Sequence, residues 1–166
     1  SWLRFGMVSE QLGVKLDPIE VAACYELKIS EQVYWYPGAK SALIALSETH
    51  QLALITNGLF RAQQRKIAIM GIEPYLKSIV ISEPLGFSKP DERIFIHCLQ
   101  ALGLQADQCL MVGDSLENDY QGALNVGMDF CWVNPTGRRL GPQWMPPKYE
   151  VVAIDAISKL MACDSI

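Results

Sequence analysis

Short apolar runs alternate along this chain with longer stretches in which apolar residues recur at helical spacing. A compact apolar run bounded by turn residues is typical of a buried strand, whereas a helical period indicates an amphipathic helix. We therefore expect helices at 39–49, 60–70, 91–102 and 117–126 and strands at 51–55, 78–82, 109–112 and 129–133. Gly71, Gly103 and Gly127 each follow a predicted helix, as C-terminal caps do.

This alternation of strands and helices predicts an α/β fold. It implies right-handed crossovers and a mainly parallel sheet with helices on both faces. After Asn134 the chain enters a loop rich in proline and glycine, and we expect a short strand at 149–154 and a helix from Ala156 to follow. We expect residues 1–33 to be helical, with two amphipathic stretches broken near Gly13 and Asp17-Pro18.

Two carboxylates follow the strand expected at 109–112. Gly113 ends the apolar run, Asp114 comes next, and Asp119 lies five residues later. The carboxyl end of a parallel strand is where open α/β sheets bind their ligands. Carboxylate oxygens suit Mg²⁺, a hard cation that keeps several waters. Alternatively, Asp114 only caps the following helix, a common position for aspartate.

A polar turn follows the strand expected at 51–55. Thr56, Asn57 and Gly58 combine a hydroxyl, an amide and a conformationally permissive glycine. Side-chain and backbone donors at a strand end can bind a phosphate group. The same residue types are also common in ordinary strand-to-helix turns, so the turn by itself leaves both interpretations open.

Lys89 is a candidate for a positioned cation. It precedes Pro90, which favours the first position of a helix and restricts the residue before it to an extended conformation. Lysine is usually a solvated surface residue. A lysine at a constrained junction is a better candidate for a charge that has to be placed. By contrast, Arg138 and Arg139 lie in the proline- and glycine-rich loop, and we expect them to be solvated rather than bound to phosphate.

These three segments, in this order, resemble the motifs of the haloacid dehalogenase superfamily of phosphohydrolases. Ile55 to Gly58 resembles the second motif, Lys89-Pro90 the third, and Gly113 to Asp119 the fourth. The resemblance extends over about residues 36–134. It implies a three-layer Rossmann-like core at 36–166 and places residues 1–35 in the C-terminal part of a helical cap.

The flanking residues narrow the resemblance. Ile81-Ser82-Glu83 and the segment from Phe130 to Asn134 are similar to the branch that contains the pyrimidine 5′-nucleotidases. The resemblance therefore implies hydrolysis of a phosphomonoester, such as a nucleoside 5′-monophosphate, through an aspartyl-phosphate. The partner implied is a small phosphorylated metabolite, and the cofactor is Mg²⁺.

The same resemblance assigns roles to the candidate residues. Asp114 would bind Mg²⁺, Lys89 would pair with the nucleophile and the phosphoryl oxygens, and Asp119 would orient Lys89 or metal-bound water. The Thr56 hydroxyl would donate to a phosphoryl oxygen. The backbone N–H groups that follow it, those of Asn57 and Gly58, would assist. We expect Lys89→Ala to lower activity without unfolding the protein.

The superfamily's first motif has no counterpart in this chain. That motif is an Asp-x-Asp on the first strand, and it supplies the nucleophile and the general acid and base. Here Asp17 is followed by Pro-Ile-Glu, and no strand-like run precedes it. In the superfamily the first strand lies between the strands that carry Thr56 and Asp114. Each unpaired buried backbone group costs on the order of 1–3 kcal/mol, so we expect a further N-terminal segment, in cis or in trans, to fill that place.

Composition restricts the class of protein further. Half of the 166 residues are hydrophobic and the formal charge is −4, which is typical of a globular domain and argues against a nucleic-acid polymer as partner. No apolar run reaches the length of a membrane span, so we expect no membrane partner. The five cysteines form no Cys-x-x-Cys pair, which favours reduced core thiols and a cytoplasmic location.

Two alternative functions remain open at this stage. One is a dehalogenase or another hydrolase on the same scaffold, although Asp114 argues against it because a metal-free dehalogenase has no phosphoryl charge to neutralise. The other is a catalytically inactive binding or regulatory module, which the absent nucleophile favours. The presence together of Thr56, Lys89, Asp114 and Asp119 argues against an inactive module.

Overall fold

A computed structural model of the chain describes residues 33–163 together with 17, 20, 21, 24, 25, 27 and 28. Within 33–163, strands and helices alternate as the pattern predicts. The strands are β1 (Ala53–Thr56), β2 (Ser78–Ile81), β3 (Leu110–Gly113), β4 (Asp129–Val133) and β5 (Tyr149–Val151). The helices are α1 (Ala39–Ser47), α2 (Phe60–Met70), α3 (Ser82–Leu85), α4 (Glu92–Leu102), α5 (Gln121–Val126) and α6 (Ala156–Cys163).

Two of the expected strands are shorter than the apolar pattern suggests. The strand expected at 78–82 ends at Ile81, because Ser82 begins the short helix α3, which the pattern did not predict. The strand expected at 149–154 ends at Val151. The other strands and the helices begin and end within two residues of their expected positions, apart from the helix that follows β3.

The helix expected at 117–126 is divided into two parts. A π-helical turn, Leu116–Tyr120, comes first, and only from Gln121 does the chain follow an α-helix. The wider turn carries the buried side chain of Asp119 back towards Gly113 at the end of β3. Such insertions are frequent at functional sites, and this one changes where a candidate carboxylate lies.

All strand pairings in the described residues are parallel, but they fall into two groups. β1 pairs with β2, and β3 pairs with β4, which in turn pairs with β5. No ladder joins β1 to β3 in this part of the chain, so each of these two strands has one edge without a described partner strand. The α/β class with parallel strands is confirmed.

Helices cover both faces of the strands, as a three-layer fold requires. Along β4, Phe130 and Trp132 pack in one cluster with Ala123 of α5. The residue between them, Cys131, packs on the opposite face with Ile157 of α6 and Val151. This alternation with a period of two buries both faces of β4, as is usual for parallel strands.

Helix α4 packs beneath both groups of strands. Phe95 is fully buried in a cluster that includes Val80 of β2, with Ile55 of β1 and Met111 of β3 packed against it. Gly122 of α5 allows the close approach of α4, because a Cβ at that position would overlap the Phe95 ring. The two groups of strands therefore share one helical layer, which holds the ends of β1 and β3 on the same side of the molecule.

The segment predicted to be part of a cap, residues 1–35, lies almost entirely outside the described residues. In its described portion the N–H of Val21 donates to the carbonyl of Asp17 at 3.0 Å, as at the start of a helix. Among the described helices, none has the length and apolar character needed to cross a bilayer.

Candidate active site

The polar turn after β1 is held by hydrogen bonds from within the protein. Thr56 is the last residue of β1 and is half-buried, and its hydroxyl makes no hydrogen bond to a described residue. The Gly58 N–H donates to Ser82 Oγ at 3.0 Å, and Gln63 Nε2 donates to the Asn57 carbonyl at 3.0 Å. Gly58 has a φ of 144°, and a Cβ there would approach Gln63 too closely, so this position requires glycine.

The Asn57 side chain fixes the backbone of Lys89, 32 residues away. Asn57 Nδ2 donates to the Lys89 carbonyl at 3.0 Å, and the Lys89 N–H donates to Asn57 Oδ1 at 2.9 Å. One amide side chain therefore satisfies both backbone groups of a single residue. This interaction brings the turn after β1 into direct contact with the Lys89-Pro90 segment, whose peptide bond is cis.

The Lys89 ammonium group connects the two groups of strands. Nζ donates to the Ile55 carbonyl of β1 at 2.9 Å and to Asp119 Oδ1 at 2.7 Å. The side chains of Lys89 and Asp119 are only 13% and 7% exposed, respectively. Buried charges are tolerated when they are paired and hydrogen-bonded, as these are. The pair fixes a cation between the ends of β1 and β3.

Asp119 is itself held at the end of β3. Its Oδ2 accepts a hydrogen bond from the Ser115 N–H at 3.2 Å. A Cβ at Gly113 would overlap its carboxylate, so glycine at that position leaves the space that Asp119 occupies. Of the two roles considered for Asp119, orienting Lys89 or orienting metal-bound water, the contact present in the structure is the one with Lys89.

Asp114 differs from Asp119 in being open to solvent. Its carboxylate makes no hydrogen bond or ion pair with a described residue. Its backbone carbonyl, in contrast, accepts hydrogen bonds from Arg138 Nη2 at 2.7 Å and from Trp132 Nε1 at 3.3 Å. Asp114 does not cap a helix either, because Ser115 is the N-cap and accepts from the Asn118 N–H at 3.1 Å. Arg138 is exposed, as expected, but its guanidinium contact with Asp114 was not predicted.

Two further residues support the turn after β1, and the sequence assigned them no role. Ser82 Oγ accepts from the Gly58 N–H, and Glu83 Oε2 accepts from the Phe60 N–H at 2.7 Å. Both belong to α3, directly after β2. Glu83 thereby satisfies one of the unpaired N–H groups at the start of α2, where a negative charge is also favourable.

Helix α4 does not begin at Pro90, although the sequence predicts that it does. Pro90 lies in a turn rather than at the first helical position, and Asp91 is the N-cap, with its side chain accepting from the Arg93 N–H at 3.0 Å. Hydrogen bonds from the Arg93 side chain and backbone lower the pKa of Asp91 from 3.8 to about 2. The turn that carries Lys89 is therefore fixed at both ends, by Asn57 and by this cap.

The structure thus brings the sequence-predicted residues to one end of the parallel strands. Lys89 contacts Asp119 and Asn57 directly, and Asp114 lies one residue before the Ser115 N–H that binds Asp119. Within the described part of the chain, no group of three His, Cys, Asp or Glu side chains is close enough to hold a metal ion. The site therefore combines a fixed cation with one open carboxylate.

Comparison with known proteins reveals relatives over most of this chain. Pyrimidine 5′-nucleotidase YjjG of Escherichia coli (strain K12) is 31% identical over 159 residues, which is 95% of this chain and 69% of that protein. Pyrimidine 5′-nucleotidase PynA of Streptococcus pneumoniae is 33% identical over 150 residues, covering 89% of this chain and 63% of its own length.

A solved structure and a family profile agree with these relatives. The crystal structure of HAD-hydrolase YfnB from Bacillus subtilis, bound to magnesium, superposes with a TM-score of 0.82 at 27% identity and covers 98% of this chain and 70% of that one. The profile of the haloacid dehalogenase-like hydrolases matches residues 6–133, more than half of the sequence. The chain therefore belongs to the haloacid dehalogenase-like hydrolase family.

Proposed function

We propose that this chain forms most of a phosphomonoester hydrolase that depends on Mg²⁺ and works through an aspartyl-phosphate. The position of Lys89 carries the proposal. Its ammonium group binds the carbonyl of Ile55, the residue before Thr56, and it also binds Asp119, which accepts a hydrogen bond from the N–H of the residue after Asp114. The ends of β1 and β3, which Lys89 connects, thus carry a hydroxyl, a fixed cation and a free carboxylate, a set of groups suited to neutralising a phosphate dianion.

Asp114 is the residue proposed to bind Mg²⁺. Its exposed carboxylate has no described protein partner, and carboxylate oxygen is the donor that Mg²⁺ prefers. Proteins usually bind Mg²⁺ through one or two carboxylates together with substrate phosphate and water, so a single described carboxylate fits this ion. When bound, Mg²⁺ would neutralise charge on the phosphoryl group.

The remaining residues act on the substrate or on one another. Lys89 pairs with the nucleophile and the phosphoryl oxygens, and Asp119 keeps the ammonium group in place. The Thr56 hydroxyl donates to a phosphoryl oxygen. The N–H groups of Asn57 and Gly58 assist, the second of them once its hydrogen bond to Ser82 opens. These donors would hold the phosphate in line for attack.

The nucleophile is proposed to come from a further segment, in cis or in trans, that adds a strand between β1 and β3. β1 and β3 each have one edge without a described partner strand, and the Ile55 carbonyl of β1 accepts a hydrogen bond from Lys89 Nζ. An aspartate at the end of the added strand would form a bond to phosphorus, and the P–O bond to the substrate would break as a second aspartate of that strand gives its proton to the leaving alcohol. The second aspartate would then take a proton from water, which attacks phosphorus, breaks the bond to the first carboxylate and releases orthophosphate.

For the substrate we propose a nucleoside 5′-monophosphate. The support is the similarity to two proteins named as pyrimidine 5′-nucleotidases, each matching at least 89% of this chain. The N-acylneuraminate-9-phosphatase of Mus musculus is more similar, at 41% identity, but only over 60% of the chain. Sugar phosphates are therefore the principal competing substrates in a test of specificity.

We further propose that the protein is cytoplasmic and acts on free metabolites rather than on a nucleic-acid polymer or a membrane. Cys24, Cys98, Cys109 and Cys131 are free, and burial raises the pKa of the Cys98 and Cys131 thiols to about 11. Neutral buried thiols are unreactive core residues, which suits a reducing compartment. The formal charge of −4 would repel a polyanion.

The proposal is tested by phosphate release from nucleoside monophosphates and sugar phosphates, with the full-length protein in Mg²⁺ or in chelator. Asp114→Asn should lower Mg²⁺-dependent turnover by about 100-fold or more, because it removes the metal carboxylate. Asp107→Asn is the matched control. Asp107 is also exposed and undergoes the same change of charge. It precedes β3, whereas Asp114 follows it, so it lies at the end of the strand away from the site.

The possible results test the reaction, the metal assignment and the substrate separately. Near-native turnover of Asp114→Asn would refute the metal assignment, and turnover that persists in chelator would refute the dependence on Mg²⁺. Release of phosphate from sugar phosphates in preference to nucleotides would leave the reaction intact and overturn the proposed substrate. Failure of the full-length protein to hydrolyse any phosphomonoester would refute the proposed function.

A further inference from the structure

Arg138 contacts Asp114, the candidate Mg²⁺ ligand, although the two residues lie far apart in the sequence. It lies in the loop after β4, 24 residues beyond Asp114, and its Nη2 donates to the Asp114 carbonyl at 2.7 Å. The guanidinium carbon also lies 5.7 Å from the centre of the Trp132 ring. Trp132 Nε1 donates to the same carbonyl at 3.3 Å. Two side chains from one region therefore hold one backbone oxygen.

Arg138 is itself fixed by a fully buried side chain. Asn134 is 0% exposed, and its Oδ1 accepts from the Arg138 N–H while its Nδ2 donates to the Arg138 carbonyl, both at 2.9 Å. Asn134 Nδ2 also donates to Glu150 Oε1 at 2.7 Å, which connects the start of this loop to β5. The backbone of Arg138 is thus held in place, although the end of its side chain is exposed.

The peptide group that follows Asp114 is held at both of its polar atoms. Arg138 and Trp132 bind its carbonyl oxygen, and the N–H on the other side, that of Ser115, donates to Asp119 at 3.2 Å. The Asp114 carboxylate has no described partner of its own, so the direction in which it points depends on this peptide group. Removing one of the donors to the carbonyl would leave the carboxylate less well oriented.

We propose that Arg138 is a positioning residue that orients Asp114 for Mg²⁺ through the backbone. This inference rests on the proposed function, because it assumes that Asp114 binds the metal. Groups that orient metal ligands from outside the coordination sphere typically change metal affinity by about 10- to 100-fold when they are removed. Arg138 is such a group, acting from the loop after β4.

A simple effect of charge would have the opposite sign. An exposed guanidinium near a metal site repels Mg²⁺, so its removal would tighten metal binding if charge were its main influence. Loss of orientation weakens metal binding instead. The direction of the change in the Mg²⁺ dissociation constant therefore distinguishes a positioning residue from a nearby charge.

The experiment is a calorimetric titration of the full-length protein with Mg²⁺. Arg138→Gln removes the charge and the planar fork, and it should raise the Mg²⁺ dissociation constant by about tenfold. Arg138→Lys keeps the charge and loses the fork, so a rise in the same direction is expected. Arg139→Gln is the matched control, because this neighbouring arginine is exposed and its side chain makes no hydrogen bond or ion pair with a described residue. The Mg²⁺ dissociation constant of Arg139→Gln should stay within about twofold of the native value, since exposed charges are screened.

Activation by Mg²⁺ gives a second readout that a general structural role would not produce. If Arg138 orients Asp114, the Mg²⁺ concentration for half-maximal turnover should rise in Arg138→Gln, while kcat at saturating Mg²⁺ approaches the native value. A native or lower dissociation constant in Arg138→Gln would overturn the inference, and so would a reduced kcat that excess Mg²⁺ does not restore. Arg138→Lys provides the same two readouts if Arg138→Gln does not fold.

Asp114→Asn in the same titration separates the two proposals. If Asp114→Asn loses Mg²⁺ binding and Arg138→Gln binds normally, only the role of Arg138 is refuted. If Asp114→Asn binds Mg²⁺ as the native protein does, the metal assignment fails and the inference about Arg138 fails with it.

Discussion

The ends of β1 and β3 lie on either side of Lys89, but the two are built differently. At the end of β1, the Asn57 side-chain amide and the Gly58 N–H are hydrogen-bonded to other parts of the protein. At the end of β3, the backbone of Asp114 is held while its carboxylate is open to solvent. The end of β1 therefore helps to hold the Lys89 cation in place, whereas the end of β3 leaves the Asp114 carboxylate free.

This contrast follows from burial. The Lys89 and Asp119 side chains are almost excluded from water, so each needs the other, and the backbone around them has to be fixed to preserve the pair. Asp114 remains hydrated and needs no protein partner. Lys89, Asp119 and the residues that fix their backbone should consequently affect stability and activity together, whereas Asp114 should affect activity alone.

The largest effect on stability is expected from Lys89→Ala. Removal of Lys89 leaves the Asp119 carboxylate buried, with the Ser115 N–H as its described hydrogen-bond donor. Breaking a buried pair from one side typically costs about 3–5 kcal/mol, a large part of a net stability of about 5–15 kcal/mol. The pairing thus changes the expectation that Lys89→Ala lowers activity without unfolding the protein. Urea denaturation of the full-length protein measures the loss.

Two further variants make the Lys89 measurement specific. Lys77→Ala removes an exposed lysine whose side chain has no described partner, and its free energy of unfolding should change by less than about 0.5 kcal/mol. Lys89→Met combined with Asp119→Asn removes both charges and should be more stable than Lys89→Ala. A loss in Lys89→Ala no greater than that in Lys77→Ala would show that the pair is not a buried one.

A smaller effect is expected from Asn57→Ala. It leaves the N–H and the carbonyl of Lys89 without their side-chain partner, in a partly buried position, which should cost about 1–3 kcal/mol. Because the Lys89 backbone is then less well placed, kcat/KM should also fall. Asn118→Ala is the control from the β3 region. The Asn118 side chain is exposed, and among the described residues it hydrogen-bonds only to Ser115, so we expect changes within about 0.5 kcal/mol.

Chemical denaturation and initial rates on the same samples test this second prediction. If Asn118→Ala proved as destabilising as Asn57→Ala, the two regions would not differ in the way that burial indicates. Unchanged kcat/KM in Asn57→Ala would mean that the Lys89 backbone keeps its position without the amide.

The order of the elements and the side of the molecule that carries the site could be predicted from the sequence. Apolar runs and helical spacing are local features, and the carboxyl ends of parallel strands necessarily share one edge. For this reason the sequence alone predicts that Thr56 and Asp114 lie at the same edge of the sheet. The π-helical turn at Leu116–Tyr120 was not predicted, because its apolar spacing is close to that of an ordinary helix.

The contacts that distinguish the two regions could not be predicted. Asn57 meets Lys89 across 32 residues, and Arg138 meets Asp114 across 24. Such pairs depend on the register of the strands and on the path of the loops, neither of which leaves a local pattern. The residues around Arg138 are those of an exposed turn and predict a solvated side chain, and its tip is indeed exposed.

The smallest effect on stability is expected from Asp91→Asn, which changes the exposed N-cap residue of α4. Hydrogen bonds from Arg93 lower the pKa of Asp91 to about 2 in the folded protein, below the ordinary value of 3.8. A lowered folded-state pKa means that the ionised carboxylate stabilises the fold above about pH 4, and that this contribution is lost as the pH falls towards 2. Asp91→Asn keeps an oxygen acceptor for the Arg93 N–H but removes the charge.

The free energy of unfolding of native protein and Asp91→Asn, compared at about pH 6, 4 and 2.5, isolates this contribution, because all other carboxylates titrate in both proteins. The native protein should be slightly more stable at pH 6, and the difference should shrink as the pH falls through the lower range. A difference that stays constant or grows on acidification would contradict the lowered pKa. Because Asp91 and Arg93 are solvated, their pair should matter far less than the buried pair of Lys89 and Asp119, although all four residues hold the same turn.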